Sequence, residues 1–173
     1  MPNWIEGTFR ARGTKENIKK FLMEGLEPSS SFGCEQKIKR EINDEEDNYF
    51  EFKVSLIDKD DNQGKESQIS LHIPKTRRNF VELDSWGEIT AHKTQNSDDF
   101  VFATRFKGAW SIDTDAIKEI AKEFEIDIRV NGYECGMEFE QLLEVNRSGW
   151  IVCDSVIQYM DYTWECPMPL LGG

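Results

Sequence analysis

Residues 100–130 read FVFATRFKGAWSIDTDAIKEIAKEFEIDIRV. Phe100, Phe102, Thr104 and Phe106 recur at every second position, the period of a strand with one buried face. Ser111 or Asp113 can accept a hydrogen bond from an orphan amide of a following first turn, which predicts a helix start there. Ala116 or Ile117, Ile120, Ala121 and Phe124 then share one helical face, and Ile126 to Val130 reads as a second strand. A helix of this length between two strands returns the chain to the same sheet, and such crossovers are right-handed.

The N-terminal stretch repeats the pattern. Trp4 to Arg10 alternates as a strand ending at Gly13, Thr14 is placed to cap a helix, and Ile18, Phe21 and Leu22 fall at i, i+3 and i+4. Gly25 suits a left-handed residue that stops the helix. Two such units predict an α+β fold, a ferredoxin-like split β-α-β sandwich with both helices on one face and additional β-hairpins. Gln36 to Ile42 is read as a strand. Tyr49 to Ile57 pairing with Gln68 to Ile73 is read as a long hairpin, and Met137 to Val145 with Trp150 to Tyr159 as another around Asn146–Gly149. Short strands are expected at Phe80–Leu83 and Glu88–His92. The organisation expected is one domain over 1–165 with a hairpin insertion around 36–79, and a C-terminal tail, 166–173, laid on the surface or frayed.

With 173 residues, 38% hydrophobic, eleven Phe and five Trp, the chain suits one packed core. It carries no apolar run near 18 residues and no basic-then-apolar leader, so no membrane span, no signal peptide and a cytoplasmic setting are expected. Cys34, Cys135, Cys153 and Cys166 have no CxxC spacing and no neighbouring histidine, which predicts reduced structural thiols and no metal site. The loop from Asp58 to Gly64 fails as a calcium loop, because the sixth position is Gln63 and the twelfth is Ile69. His72 and His92 have no local nucleophile or carboxylate arrangement, and His72 is expected on an exposed strand face. No catalytic residue and no cofactor are expected. The tryptophans Trp86, Trp110 and Trp150 read as core or hairpin packing, and Tyr159, Tyr162 and Trp164 as packing or a contact patch.

The net charge of −12 is uneven. Residues 1–40 hold eight Lys/Arg against five Asp/Glu, whereas 41–100 hold seven against fifteen and 101–173 six against thirteen. Two candidate binding surfaces follow. One is acidic: Glu41, Asp44, Glu45, Glu46 and Asp47, with Asp58, Asp60 and Asp61 on a hairpin loop. The other is basic: Arg10, Arg12, Lys15, Lys19 and Lys20. An acidic field repels phosphate and speeds encounter with basic surfaces, while a basic patch beside sheet aromatics suits single-stranded RNA.

Three stretches carry a family resemblance: MPNW at 1–4 with the following strand, Gly13 and helix; SWGEITAHK at 85–93; and FATRFKGAW at 102–110 with its helix and then Tyr133, Glu134, Gly136 and Phe139. In order and spacing these resemble the YubB-type ferredoxin-like domain of phage and plasmid proteins. The chain departs from that pattern at Ile5, where the family usually has Cys, and at Ile112 and Asp113, where prolines are common. The resemblance implies a small accessory protein of a mobile element in a bacterial host, and no catalytic residues. The leading expectation is a non-enzymatic protein that binds a host protein and inhibits it, a Cas nuclease or its guide-RNA complex being the sharpest form (anti-CRISPR-like). The alternatives are an RNA-binding or guide-RNA-directed module using the basic patch, and a homo-oligomeric structural protein that dimerises through an open sheet edge.

Overall fold

The computed structural model describes residues 3–31, 34–35, 37–43, 45–57 and 69–173, with backbone alone at 30–31 and 34–35. In chain order the elements are β1 (Trp4–Gly13), α1 (Lys15–Glu24), β2 (Glu27–Pro28), β3 (Ser30–Ser31), β4 (Cys34–Glu35), β5 (Ile38–Asn43), β6 (Tyr49–Leu56) and β7 (Ser70–His72). There follow β8 (Asn79–Glu82), β9 (Glu88–Lys93), β10 (Phe100–Ala109), α2 (Thr114–Glu123), β11 (Asp127–Glu134), β12 (Phe139–Val145), β13 (Ile151–Gln158) and the short α3 (Tyr162–Glu165).

The protein is an α+β fold dominated by antiparallel sheet. β1 lies between β10 and β11 and is antiparallel to both, so β10 and β11 run parallel and α2 is the crossover between them. Beyond β11 the sheet continues through β12 to β13. On the other side it forks. Arg105–Gly108 of β10 pair with β8, which leads to β7 and β2, while Phe100 and Val101 pair with β9, which leads to β6 and β5. Among the described residues eleven strands join in this sheet, and β3 and β4 form a separate pair.

Period two divides the sheet into a covered and an open face. Ile5, Phe9 and Ala11 of β1, Phe102 and Phe106 of β10, and Ile128 and Val130 of β11 are buried on one side. Ile18, Phe21 and Leu22 of α1 and Ile117, Ile120 and Ala121 of α2 close over them. Phe21 stacks against Phe9 and Phe102 with centroids 6.0 and 6.3 Å away and meets Phe124 edge-on at 5.5 Å. Thr14 caps α1 by accepting from the Asn17 N–H at 3.2 Å, and Asp113 caps α2 by accepting from Ala116 at the same distance.

Two local expectations are corrected. Ser70–His72 do not pair with the 49–57 strand. They bond to β8 and β2, while β6 lies between β5 and β9. Gly25 does end α1, but with φ −84 it is right-handed. Its reason is space: a Cβ there would stand 2.5 Å from the Phe21 ring and 2.9 Å from that of Phe124. The carbonyls left over at this helix end are taken by Arg40, whose guanidinium donates to Met23 at 2.5 Å and to Leu26. Gly25→Asn is therefore expected to destabilise as much as Gly25→Ala, by roughly 1–3 kcal/mol for overpacking. Urea unfolding of both variants checks this, since a left-handed cap would instead tolerate asparagine.

Candidate functional site

The open face of the sheet centre carries Glu6, Thr8, Arg10 and Arg12 of β1, Arg105 and Lys107 of β10, and Asp127, Arg129, Asn131 and Tyr133 of β11, by register. Most charges there pair across strands. Lys107 donates to Glu6 at 2.7 Å, and Arg12 to Asp127 at 2.9 Å. Burial pushes the Glu6 carboxyl up, but Lys107, Arg105 and the Gly172 N–H hold it below the usual carboxylate range. Arg105 stands 3.8 Å from Glu82 and Arg129 3.8 Å from Glu144.

The five predicted basic residues do not form one patch. Arg10 and Arg12 project from the open face, whereas α1 covers the opposite one, so Lys15, Lys19 and Lys20 lie on the far side of the sheet. There Lys15 and Lys19 bond to Glu45 at 3.2 and 2.5 Å, and the Glu46 carbonyl accepts from Lys15 at 2.6 Å. The three ammonium groups also lie over the rings of Phe100, Phe50 and Phe124. The acidic run and the helix lysines are thus partners. Glu41 pairs with Lys39 at 2.6 Å, Glu46 accepts from the Tyr49 hydroxyl at 3.3 Å, and Asp47 is exposed. Asp44, Asp58, Asp60 and Asp61, with the loop from Asp58 to Gly64, lie outside the described residues.

His72 is half-buried rather than exposed, because the short β2 edge lies beside it. Its Nδ1 faces Glu27 Oε2 at 3.2 Å and its Nε2 the Thr76 carbonyl at 3.1 Å, so both ring nitrogens are engaged. His92 is exposed beside the Tyr49 ring. Among the described residues no three His, Cys, Asp or Glu side chains gather as metal ligands, and Cys135, Cys153 and Cys166 are free thiols.

Arg147, in the β12–β13 turn, joins three segments. It bonds to Asp99 at 2.8 Å and to Asp127 at 2.9 Å, and its own N–H donates to Asp127 at 2.9 Å. Burial pushes the Asp127 carboxyl up, but these bonds and that from Arg12 outweigh it and hold it below the usual carboxylate range.

The clearest surface that sequence reasoning missed is β13. It is an edge strand, paired among the described residues only with β12. Val152, Val156 and Ile157 are 57%, 60% and 51% exposed. Trp150 before the strand and Met160 and Trp164 after it are also exposed, which corrects the expectation of packing for Trp150, as do exposed Trp86 and Trp110. Tyr162, by contrast, is buried. Its hydroxyl donates to the Leu171 carbonyl at 3.2 Å, and the tail lies along the start of β1 through a Gly173 N–H to Trp4 carbonyl bond of 3.0 Å. A signal for the edge was present: Ile151–Gln158 holds one charge, Asp154, and no lysine.

Compared with protein-family models, curated proteins and solved structures, the chain matches none. No helix among the described residues is long and apolar enough to cross a membrane.

The Asp127 pair gives a pH expectation. A carboxyl whose folded value is depressed contributes stability above its unfolded value and loses it as the pH falls through the folded one. Asp127→Asn should lower the urea midpoint at neutral pH, and the gap to the wild-type chain should close as the pH falls through and below the usual carboxylate range. A gap constant from pH 7 to 2 would show that the ion pairs contribute nothing.

Proposed function

We propose that this chain is a non-catalytic accessory protein that works by docking on another protein, with the β13 edge as its docking strand. The observation that carries this reading is the unprotected edge itself. Edge strands are commonly blunted by lysine, proline or bulges facing outward. Ile151–Gln158 has neither lysine nor proline, and its single register shift lies at its start, by Glu144 and Val145. By register Val156 lies on the helix-covered side and Ile157 on the open side, so an added strand would meet apolar groups on both faces. Such strand addition takes affinity from main-chain bonds and specificity from alternate side chains.

The charge around the edge selects the partner. Residues 134–173 hold seven Asp/Glu against one Arg. Two copies meeting at β13 would bring like fields together, so the occupant is an extended, basic and apolar segment of a different protein. In the mobile-element setting implied by the YubB resemblance, the sharpest form is an inhibitor of a host nucleic-acid enzyme, a CRISPR-Cas effector nuclease above all, acting in the bacterial cytoplasm. The order β11-β1-β10-β8, with α1 and α2 on one face, supports a ferredoxin-like core to which the remaining strands are additions. The guide-RNA reading through the basic patch loses its support, because that patch is split between two faces.

The test is a pull-down of purified Cas effector nucleases, with and without guide RNA, by the wild-type chain and by a Val156→Lys/Ile157→Lys variant. Retention by the wild-type chain and at least a tenfold loss in the variant are expected, with the fold intact because both positions are exposed. Equal retention by the two removes β13 as the docking strand, and no retention of any effector removes the nuclease-inhibitor form. Light scattering that shows a wild-type dimer and a monomeric variant would favour self-pairing instead.

A further inference from the structure

On the open face of β1, β10 and β11 one cation stands apart. Lys107 and Arg12 have close carboxylates, and Arg105 and Arg129 have distant ones. Arg10 is exposed and has no ion-pair or hydrogen-bond partner among the described residues. Its register neighbour on β11 is Arg129, a second guanidinium. Like charges directly opposite across a strand pair are destabilising. The next pair on the same face, Arg12 with Asp127, shows the complementary arrangement this position lacks.

The two arginines border a depression of about 350 Å3. Its other polar groups are Thr8, Asn131 and Tyr133, and the tail closes one side with Met168 and Leu171. Among the described residues no carboxylate lines it, whereas the two neighbouring depressions carry Glu82, Asp84 and Glu88 in one case and Asp127 and Glu144 in the other. In a chain of charge −12 this is a local inversion of sign. Asn131 Nδ2 donates to the Tyr133 hydroxyl at 3.2 Å, which leaves the phenol proton free to be donated elsewhere.

We infer that this depression is a binding site for a small molecule bearing one phosphate monoester on an apolar or aromatic body. The planar guanidinium groups of Arg10 and Arg129 suit paired phosphate oxygens. The Tyr133 and Thr8 hydroxyls add donors, and Met168, Leu171 and the Tyr133 ring offer apolar surface to the body. The volume lies at the small end of ligand pockets. An anion between the two arginines would cancel the repulsion that their register imposes. The site is independent of the β13 edge, and the Val156→Lys/Ile157→Lys variant should leave it unchanged.

Titration calorimetry of the full chain at low salt tests this, with inorganic phosphate, 5′-AMP and adenosine as probes. Binding of 5′-AMP, weaker binding of phosphate and none of adenosine are expected; phosphate equal to 5′-AMP would overturn the apolar subsite. Arg10→Gln and Arg129→Gln should each weaken 5′-AMP roughly 10- to 100-fold, the range for a lost charge-assisted bond. Arg77→Gln, outside the depression, should match wild type. The ligand-free Arg10→Gln protein should melt no lower than wild type, because a like-charge contact is relieved; a lower melting temperature would make Arg10 a structural residue and overturn the inference. So would undiminished 5′-AMP binding by Arg10→Gln, or the absence of any 5′-AMP signal. Single-stranded RNA binding more tightly than 5′-AMP, with a steep salt dependence, would replace the pocket with a nucleic-acid surface.

Discussion

Everything in this protein hangs on β1 being paired along its whole length to β10 and over most of it to β11. The register from Trp4 with Ala109 to Gly13 with Phe100 sets which side chains of three strands point together. A slip by one residue would turn Phe9 and Ala11 to the open face and Arg10 and Arg12 into the core. The covered face is therefore a demanding constraint. Phe9, Phe21 and Phe102 stack in the space between sheet and helices, and the rings of Phe21 and Phe124 crowd the place a Cβ would take at Gly25. Close approach recurs at Gly7, where a Cβ would fall 2.0 Å from the Asn131 carbonyl oxygen. The β1–β11 contact thus depends on glycine beside the residues that line the depression.

The same register explains why the charge pattern of the sequence misleads. Arg10, Arg12, Lys15, Lys19 and Lys20 are neighbours along the chain, but a strand and the helix that folds back over it expose opposite sides. The sheet thickness separates the arginines from the lysines. The lysines then meet the acidic run at 45–46, so two surfaces that read as separate in sequence neutralise one another.

Local signals were legible where local physics decides. Both helices, their caps at Thr14 and Asp113, and the period-two strands β1, β6 and β10 follow from side chains within a few residues. The β12–β13 hairpin was legible for the same reason. Partnership across the sheet was not. Gln68–Ile73 alternates well enough to pair with 49–57, but β9 already occupies the free edge of β6, and nothing near either segment announces it. Tryptophan burial was not legible either: Trp86, Trp110 and Trp150 stand exposed where packing is expected, and Trp164 is exposed as a contact patch would be. The open edge could have been read from the lack of lysine in Ile151–Gln158. The Arg10–Arg129 juxtaposition could not, because it depends on the register of two strands about 120 residues apart.

Acidic residues dominate the chain from residue 41 onward, so local departures from that charge carry the information. The β13 edge departs by being apolar, and the Arg10 depression by being cationic. Each runs against what its surroundings do. The edge lies in a stretch with seven carboxylates and keeps a single charge on its own strand. The depression lies on a face where four cations have carboxylates in reach and, among the described residues, keeps the fifth unpaired. At long range the net field repels anions, so an anion held at Arg10 must be held by contacts within a few ångströms. The tail serves both regions. Its short helix α3 follows β13, Tyr162 anchors it in the core, and Met168 and Leu171 reach the wall of the depression. Removing the Tyr162 anchor would therefore loosen the chain just beyond β13 and open the depression on its apolar side, although neither surface contains Tyr162 itself.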